Sequence, residues 1–348
     1  MRLIQIVPRL PPPEEGVGGI ALTLAGALSE RGIESRFVVP APHGAAAKGA
    51  GLDVVEVAPE PEALAAALAG AERTVLHYAG YGYHSRGVPR WLAAGLAHTE
   101  GALWTQFHEV WATGPPWRSS FWLGPLQRRI VRALGDRSER VTTSLDLYSD
   151  LLRGVLSDPS REIGVRPVIS GIGEPAEIPT FASRAPRLVL FGGTGVRGRA
   201  YEIDSGKIEA AARAFGLSEI WDIGPGGVAP QSIGALQIRR LGVLPASEVS
   251  AILAESAAGF LSYPLGFLGK SSVFAAYAAH GMLPICSGRP ASGVRSGVPF
   301  WDAAAAFSPA SYATGIAAAA RTWYEGHSLA RQAGEIASWV SNVGDATR

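Results

Sequence analysis

The residues of this chain with most to offer an anion are Gly269, Lys270, Ser271 and Ser272. They stand between a strand-like apolar run, Gly259 to Tyr263, and an Ala-rich helical stretch that Gly281 stops before a second apolar run starting at Leu283. A helix opening there aims unpaired backbone N–H groups and the positive end of its dipole out of a glycine turn. Lys270 adds charge, so the chemistry it suits is phosphate binding. The same residues also fit a tight strand-to-helix turn with a solvated lysine, and alone they leave both readings open. A Walker A loop is a poor match, because it needs a glycine five residues before Gly269, where Pro264 stands.

Gly193-Thr194-Gly195-Val196-Arg197-Gly198 fits G-x-G-x-x-G after an apolar strand, the pattern that seats a dinucleotide pyrophosphate on a helix N-terminus. Arg197, Arg199, Asp204, Ser205 and Gly206 read instead as a polar loop, and the acid nearest the ribose-binding distance is Asp222. Arg197 or Arg199 gripping a diphosphate bidentately, and a surface loop with two solvated arginines, are the other uses of this segment. Gly18 and Gly19 lie between a strand and a helix, where they let amides approach a ligand or simply start the helix.

His108-Glu109 follows the run ending at Phe107, at the carboxyl end of a strand, where open α/β sheets bind ligands. His108 suits a sugar hydroxyl or a proton transfer; a structurally satisfied histidine is the plainer reading. His77, Tyr78, Tyr81, Tyr83 and His84 follow another strand and read foremost as a packed loop. Trp104, Trp111, Trp117 and Trp122, with Pro115, Pro116 and Arg118 between them, suit an acceptor groove, an interfacial surface or ordinary core. The chain has no H-E-x-x-H, D-x-D or G-x-S-x-G, so no zinc-protease, metal-held nucleotide-sugar or serine-hydrolase signature is present and a metal-free site is expected.

The elements that would position these groups alternate. Apolar runs at Leu3–Val7, Glu34–Val39, Asp53–Val57, Thr74–Tyr78, Ala102–Phe107, Arg140–Ser144 and Pro167–Ser170 are separated by helical stretches at Ile20–Arg31, Glu62–Ala71, Pro89–His98, Ser119–Leu134 and Asp146–Leu156. After an aperiodic Gly/Pro/Glu segment from Gly171 to Pro186 the alternation restarts, with strands at Arg187–Phe191, Glu219–Ile223, Ile238–Leu241, Gly259–Ser262 and Leu283–Ser287. The expected fold class is α/β, two doubly wound Rossmann-like domains facing a cleft, covering residues 1–175 and 186–327. The last helices, Tyr312–Tyr324 and Leu329–Val343, are expected to cross back, with the segment of about 328–348 packing on the first domain.

Composition agrees with packed domains: 348 residues, 47% hydrophobic, 18% charged. Thirty-one basic and 30 acidic residues give a net charge of +1, too little to recruit nucleic acid or an anionic membrane by bulk field. One cysteine, Cys286, excludes an intramolecular disulfide and a Cys-based zinc site; it suits a reducing cytoplasm and reads as a buried small hydrophobe. The opening Met1-Arg2-Leu3 resembles neither a signal peptide nor a membrane span, and peripheral membrane contact stays open.

Taken in order, these features resemble the GT-B glycosyltransferases, and among them the retaining family known as group 4 or group 1. The likeness spans nearly the whole chain: Gly18-Gly19, His108-Glu109, Val168-Ile169-Ser170-Gly171-Ile172, Leu190-Phe191-Gly192-Gly193, Ile223-Gly224-Pro225-Gly226, Leu241-Gly242-Val243-Leu244-Pro245, and the Tyr263 to Ile285 stretch where the family carries its nucleotide-sugar motif. The family's two glutamates, seven residues apart, are absent; their places fall near Leu268 and Ala276, and Arg197 and Arg199 match its basic pair only loosely. The resemblance implies a metal-independent transferase with no cofactor, taking a nucleoside-diphosphate sugar as donor and a glycan, lipid-linked or small-molecule acceptor. It places His108 and Lys270 in the catalytic machinery and Gly18, Gly19, Arg197, Arg199, Gly269, Lys270, Ser271 and Ser272 around the donor. The alternatives are a non-catalytic nucleotide- or sugar-binding homologue, which the missing acids motivate, and a dinucleotide-dependent oxidoreductase using Gly193 to Gly198. Without the glutamates the stereochemical outcome is open.

Overall fold

The computed structural model describes residues 1–11, 16–112, 117, 119–290, 297–305 and 311–342. Pro12, Pro13, Glu14 and Glu15 of the first loop, Pro115, Pro116 and Arg118 among the tryptophans, and 343–348 of the expected terminal helix lie outside the described residues. The chain divides into two compact units, Met1–Pro167 together with the residues from Ala330 onward, and Val168–Leu329.

The first unit is built on strands β1 (Arg2–Ile6), β2 (Glu34–Pro40), β3 (Val54–Val57), β4 (Arg73–Tyr78), β5 (Ala102–Phe107), β6 (Arg140–Thr143) and β7 (Gly164–Val165). They form one parallel sheet in the order β3-β2-β1-β4-β5-β6-β7, with Gln5 in register with Phe37 on one side and Val75 on the other. Its helices are α1 (Gly16–Ser29), α2 (Ala45–Gly49), α3 (Pro61–Ala67), α4 (Gly80–Tyr83), α5 (Arg90–Ala97), α6 (Ser119–Arg137) and α7 (Asp146–Arg153). Alternate residues of one strand serve opposite faces: Phe37 and Val39 join a core with Val7 and Ala21, whereas Val38 joins a core with Ile6, Leu76 and Phe107. Burial on both faces is why these strands read as continuous apolar runs.

The second unit carries β8 (Ala185–Phe191), β9 (Glu219–Ile223), β10 (Ser232–Ile233), β11 (Leu236–Gly242), β12 (Ser256–Ser262), β13 (Leu283–Ser287) and β14 (Trp301–Asp302), in the order β10-β11-β9-β8-β12-β13-β14. Only the β10–β11 pair, among the described strands, is antiparallel. Its helices are α8 (Thr194–Ile203), α9 (Ser205–Ala214), α10 (Ala246–Glu255), α11 (Ser272–Ala279) and α12 (Ser311–Glu325).

Helix α13 (Leu329–Ser341) joins the first unit. Trp339 meets Trp104 edge to face at 5.5 Å and donates to Glu139 at 2.9 Å, and Glu335 pairs with Arg166. Helix α12 differs from the expectation: it stays in the second unit, where Trp323 meets Phe274 of α11. Pro167–Ser170 is not a strand either. Its Val168 N–H donates to Gly269 O at 2.9 Å and its Ser170 N–H to the Tyr324 hydroxyl at 3.1 Å, so these donors are satisfied outside any sheet.

Candidate functional site

In the second sheet β9 and β11 lie on one side of β8, and β12 and β13 on the other. The winding reverses between β8 and β12, and the crevice at their carboxyl ends is where such sheets bind ligands. Two helices open there. Helix α11 follows β12 through a 3-10 turn at Leu265–Lys270, and α8 follows β8 after Gly192 and the N-cap Gly193. The loops abut: Gly192 has φ +122, and a Cβ on it would lie 3.0 Å from Val273 in the first turn of α11. Among the described residues nothing lies within 4 Å of a Cβ placed on Gly193 or Gly195. The first-turn amides of both helices have no partner within their own helix, so two positive dipole ends converge on one crevice.

The α11 opening is held firmly. Tyr277 donates to the carbonyls of Val189 and Phe260 and accepts from Phe191 N–H at 3.1 Å, locking the helix across β8 and β12. Ser271 is the N-cap, and its hydroxyl accepts from Phe274 N–H at 3.2 Å. Gly269 is buried, Lys270 closes the 3-10 turn half-buried, and Ser272 begins the helix with its Cβ 3.7 Å from where a Cβ on Gly171 would be. Gly281, at φ +62, ends it as expected. Leu268 and Ala276, the places of the absent glutamates, are both completely buried, so an acid at either would sit in the core.

Two features of the β8 segment correct the sequence reading. Residues 194–203 form α8 where a polar loop was expected. Arg197, expected to grip a diphosphate, is 1% exposed and turned inward. Its guanidinium donates to Asp222 at 2.5 Å, to Gly192 O at 2.7 Å and to Pro225 O. Arg197 therefore braces the loop between β8 and α8 from behind. Asp222, the acid a dinucleotide ribose would need, pairs with Arg197 through one oxygen and accepts from Tyr201 at 2.7 Å through the other. Gly224, at φ +143, lies so close to Gly192 that a Cβ there would collide with the Gly192 carbonyl. Arg199 lies on the exposed side of α8.

In the first unit the winding reverses between β1 and β4. Gly18 and Gly19 fall inside the first turn of α1, not in the loop before it. Gly18 is required because the Arg9 carbonyl passes over it, and among the described residues nothing lies within 4 Å of a Cβ placed on Gly19. His108, just past β5, is 4% exposed, and its Nε2 lies 3.2 Å from Nδ1 of His77. His77 in turn lies 2.9 Å from Gln5 Oε1, and Gln5 donates to Ser35 at 2.8 Å. Sequence reading set His77 aside as loop and missed Gln5. The available signal was a polar residue inside each of two buried strands, which must find a partner.

Glu109, the next residue in the chain after His108, lines a cavity of about 340 Å³ together with Tyr81, Gly87, Trp111, Gln127 and Tyr148. Gln127 ties its walls together, accepting from Ala112 N–H at 3.0 Å and donating to Tyr81 and to Arg86 O. Trp104 is core instead, donating to Thr142 at 2.9 Å, while Trp117 and Trp122 are 84% and 72% exposed. Cys286 is fully buried on β13, and burial pushes its thiol up, out of reactive range. Among the described residues no group of three His, Cys, Asp or Glu is placed to hold a metal ion, and no helix is long and apolar enough to cross a membrane.

No model of a known protein family matches the chain, and no curated protein matches it in sequence. Solved structures do. It is similar to an α-glucosyltransferase in complex with UDP (TM-score 0.56, 10% identity, 97% of this chain and 99% of that one). It is similar to a glycosyltransferase from Rickettsia africae (TM-score 0.56, 13% identity, 99% of each chain). It is also similar to the Anabaena HepE protein in complex with UDP-glucose (TM-score 0.55, 11% identity, 99% of this chain and all of that one). With two Rossmann-like domains in sequence and these likenesses along its whole length, the chain has the fold of the GT-B glycosyltransferases.

Proposed function

We propose that this protein transfers a sugar from a nucleoside-diphosphate sugar to a hydroxyl-bearing acceptor. The observation that carries the reading is the meeting of the α8 and α11 N-termini at the β8/β12 reversal, with no described residue crowding Gly193 or Gly195 and with Lys270 at the turn. UDP and UDP-glucose in the similar structures support the same donor class.

In the reaction, the bond from the anomeric carbon to the β-phosphate oxygen breaks, the acceptor oxygen bonds to that carbon, and the acceptor proton is released to a base. Negative charge gathers on the departing diphosphate. The first-turn amides near Gly193 and Ser272, with Lys270, stabilise that charge without reorganising and without a metal. Arg199 contributes at longer range, and Arg197 acts by holding Gly192 and Pro225 in place. By the family resemblance His108 would meet a sugar hydroxyl. The cavity lined by Glu109, Trp111 and Tyr148 suits a sugar-like or aromatic acceptor, with apolar faces for stacking and a carboxylate for a hydroxyl. Exposed Trp117 and Trp122 are the material basis for peripheral contact with a membrane carrying a lipid-linked acceptor. We place the reaction in the cytoplasm on the single thiol of Cys286.

One similar structure is an α-glucosyltransferase in complex with DNA. The net charge of +1 here favours a small or glycan acceptor over nucleic acid. A dinucleotide reading gains the α8 helix that its motif requires but loses the acid, since both oxygens of Asp222 are engaged.

The test is a thermal-shift panel of nucleoside diphosphates, their sugars and nicotinamide cofactors. Stabilisation by a nucleoside diphosphate that Lys270→Ala reduces supports the reading. No shift with any of them, or a nicotinamide shift that survives Lys270→Ala, contradicts it. Donor binding with no transfer or hydrolysis across a broad acceptor panel would instead point to a non-catalytic homologue.

A further inference from the structure

Helix α6 exposes what soluble proteins ordinarily bury. Trp117, just before it, and Trp122, in its first turn, are 84% and 72% exposed, the two most exposed large hydrophobic side chains among the described residues. Phe121 is 44% exposed and meets Trp122 edge to face at 5.4 Å. The helix cannot turn to bury them, because Gln127, Ile130, Val131 and Leu134 on its opposite side are already buried, the last three in a core shared with Phe107. Phe121, Trp122, Arg128, Arg129 and Arg132 are all exposed and, at 3.6 residues per turn, occupy about a third of the helix circumference. Arg132 is engaged with Asp136 and Ser157, and Arg128 lies over the Trp111 ring at 5.5 Å. Neither Arg128 nor Arg129 forms an ion pair among the described residues. Charge is concentrated on the same segment. Residues 110–135 hold Arg118, Arg128, Arg129 and Arg132 and no Asp or Glu. Taking these four from the 31 basic residues leaves 27 against 30 acids, so the net charge of +1 divides into +4 here and −3 elsewhere. A field that the molecule as a whole lacks is therefore present locally.

We propose that this face of α6 docks on an anionic lipid bilayer, with Trp117, Phe121 and Trp122 entering the interface and Arg128 and Arg129 meeting lipid phosphates. Indole rings settle at the headgroup level because the ring is apolar and its N–H polar, and arginine stems lie along apolar surface while the guanidinium stays among the headgroups. Side chains as open as Trp117 and Trp122 project outward. A protein partner would need a matching hole for them, whereas a fluid bilayer yields around them. Trp111, beneath Arg128, and Gln127 both line the cavity that Glu109 borders. A docked α6 brings that cavity to the lipid surface and so selects a lipid-linked acceptor. That consequence rests on the transferase reading above; the docking does not.

The experiment is flotation of the full chain with vesicles of phosphatidylcholine alone and of phosphatidylcholine mixed with phosphatidylglycerol. Binding to the mixed vesicles and much weaker binding to phosphatidylcholine are expected. The difference should fade as salt rises from about 0.1 M to about 1 M and the screening length falls from about 10 Å to about 3 Å. Each arginine near such a surface is worth about fivefold, so Arg128→Gln with Arg129→Gln should weaken binding roughly 30-fold, and Arg128→Lys with Arg129→Lys should retain it. Trp117→Ser with Trp122→Ser should weaken it at least about tenfold. Arg239→Gln with Arg240→Gln removes the same charge from exposed positions on β11 and should change nothing. No flotation, equal binding to both vesicle types, or an equal loss in the Arg239 and Arg240 variant overturns the proposal. Binding of single-stranded DNA as tight as that of the mixed vesicles would also overturn it, by making the face a nucleic-acid surface. Self-association in place of flotation, abolished by the Trp117 and Trp122 variant, would overturn it by assigning the face to a second copy. Vesicle binding by a protein that no nucleoside diphosphate stabilises upholds the docking and leaves the transferase reading without support.

Discussion

Ser271 can be made to separate the helix cap from the anion site. Its hydroxyl accepts from Phe274 N–H at 3.2 Å, and Phe274 is fully buried, so Ser271→Ala strands a donor that water does not reach. N-cap losses of this kind cost about 1 kcal/mol, within a range of about 0.5–2. That corresponds to a fall in Tm of about 2–4 °C for domains of about 150–250 residues. Ser271→Asp should behave differently, because aspartate caps as well as serine and its charge suits a helix N-terminus. The same carboxylate would face the incoming diphosphate. Two unit charges about 5 Å apart at an effective dielectric of about 20 repel by about 3 kcal/mol, roughly a 100-fold loss of affinity. Scanning calorimetry without ligand and titration calorimetry with UDP read the two effects separately. The expected pattern is an Ala variant that is less stable, with UDP affinity little changed, and an Asp variant of nearly wild-type stability that scarcely binds UDP. UDP affinity at the wild-type level in the Asp variant would place the diphosphate away from α11 and refute the reasoning.

Other perturbations bear on the same frame. Arg197→Met leaves the Asp222 carboxylate buried without its cation, and urea denaturation should show a loss of about 3–5 kcal/mol, with a smaller loss when Asp222→Leu accompanies it. Gly224→Ala, at φ +143 and against the Gly192 carbonyl, should both destabilise the second unit by more than about 1 kcal/mol and weaken UDP binding, measured by the same titration. Burial holds His77, His280 and His327 down at about 4 from an ordinary 6.5. The unfolded chain therefore binds more protons between these values: stability from the three is complete above about pH 6.5 and falls as pH drops toward 4, by about 3 kcal/mol per histidine. Urea midpoints that stay level from pH 7 to 4.5 would contradict this.

Much of the architecture was legible because parallel strands buried on both faces announce themselves as apolar runs. Ala102–Phe107 and Leu283–Ser287 fall on β5 and β13 to the residue, and Gly281 stops α11. Other features depend on distant partners. Gly195 and Gly198 make Thr194–Ile203 a poor helix by propensity. It forms against a frame in which Arg197 reaches Asp222, 25 residues away, and the carbonyls of Gly192 and Pro225. That same reach removed Arg197 from the anion site. Val168-Ile169-Ser170 has the residues of a strand but, among the described residues, no strand pairs with it, and it bonds to Gly269 and Tyr324 instead. The Gln5–His77 link spans 72 residues and exists only because β1 and β4 are neighbours, which no local pattern reveals.

The central claim is that a nucleoside-diphosphate sugar binds at the joined N-termini of α8 and α11. Amide hydrogen exchange of the full chain with and without UDP-glucose, read by mass spectrometry, tests it directly. Protection on peptides covering Gly192–Arg197 and Lys270–Ala275 is the expected result. Protection confined to other segments, or none at saturating ligand, would contradict it.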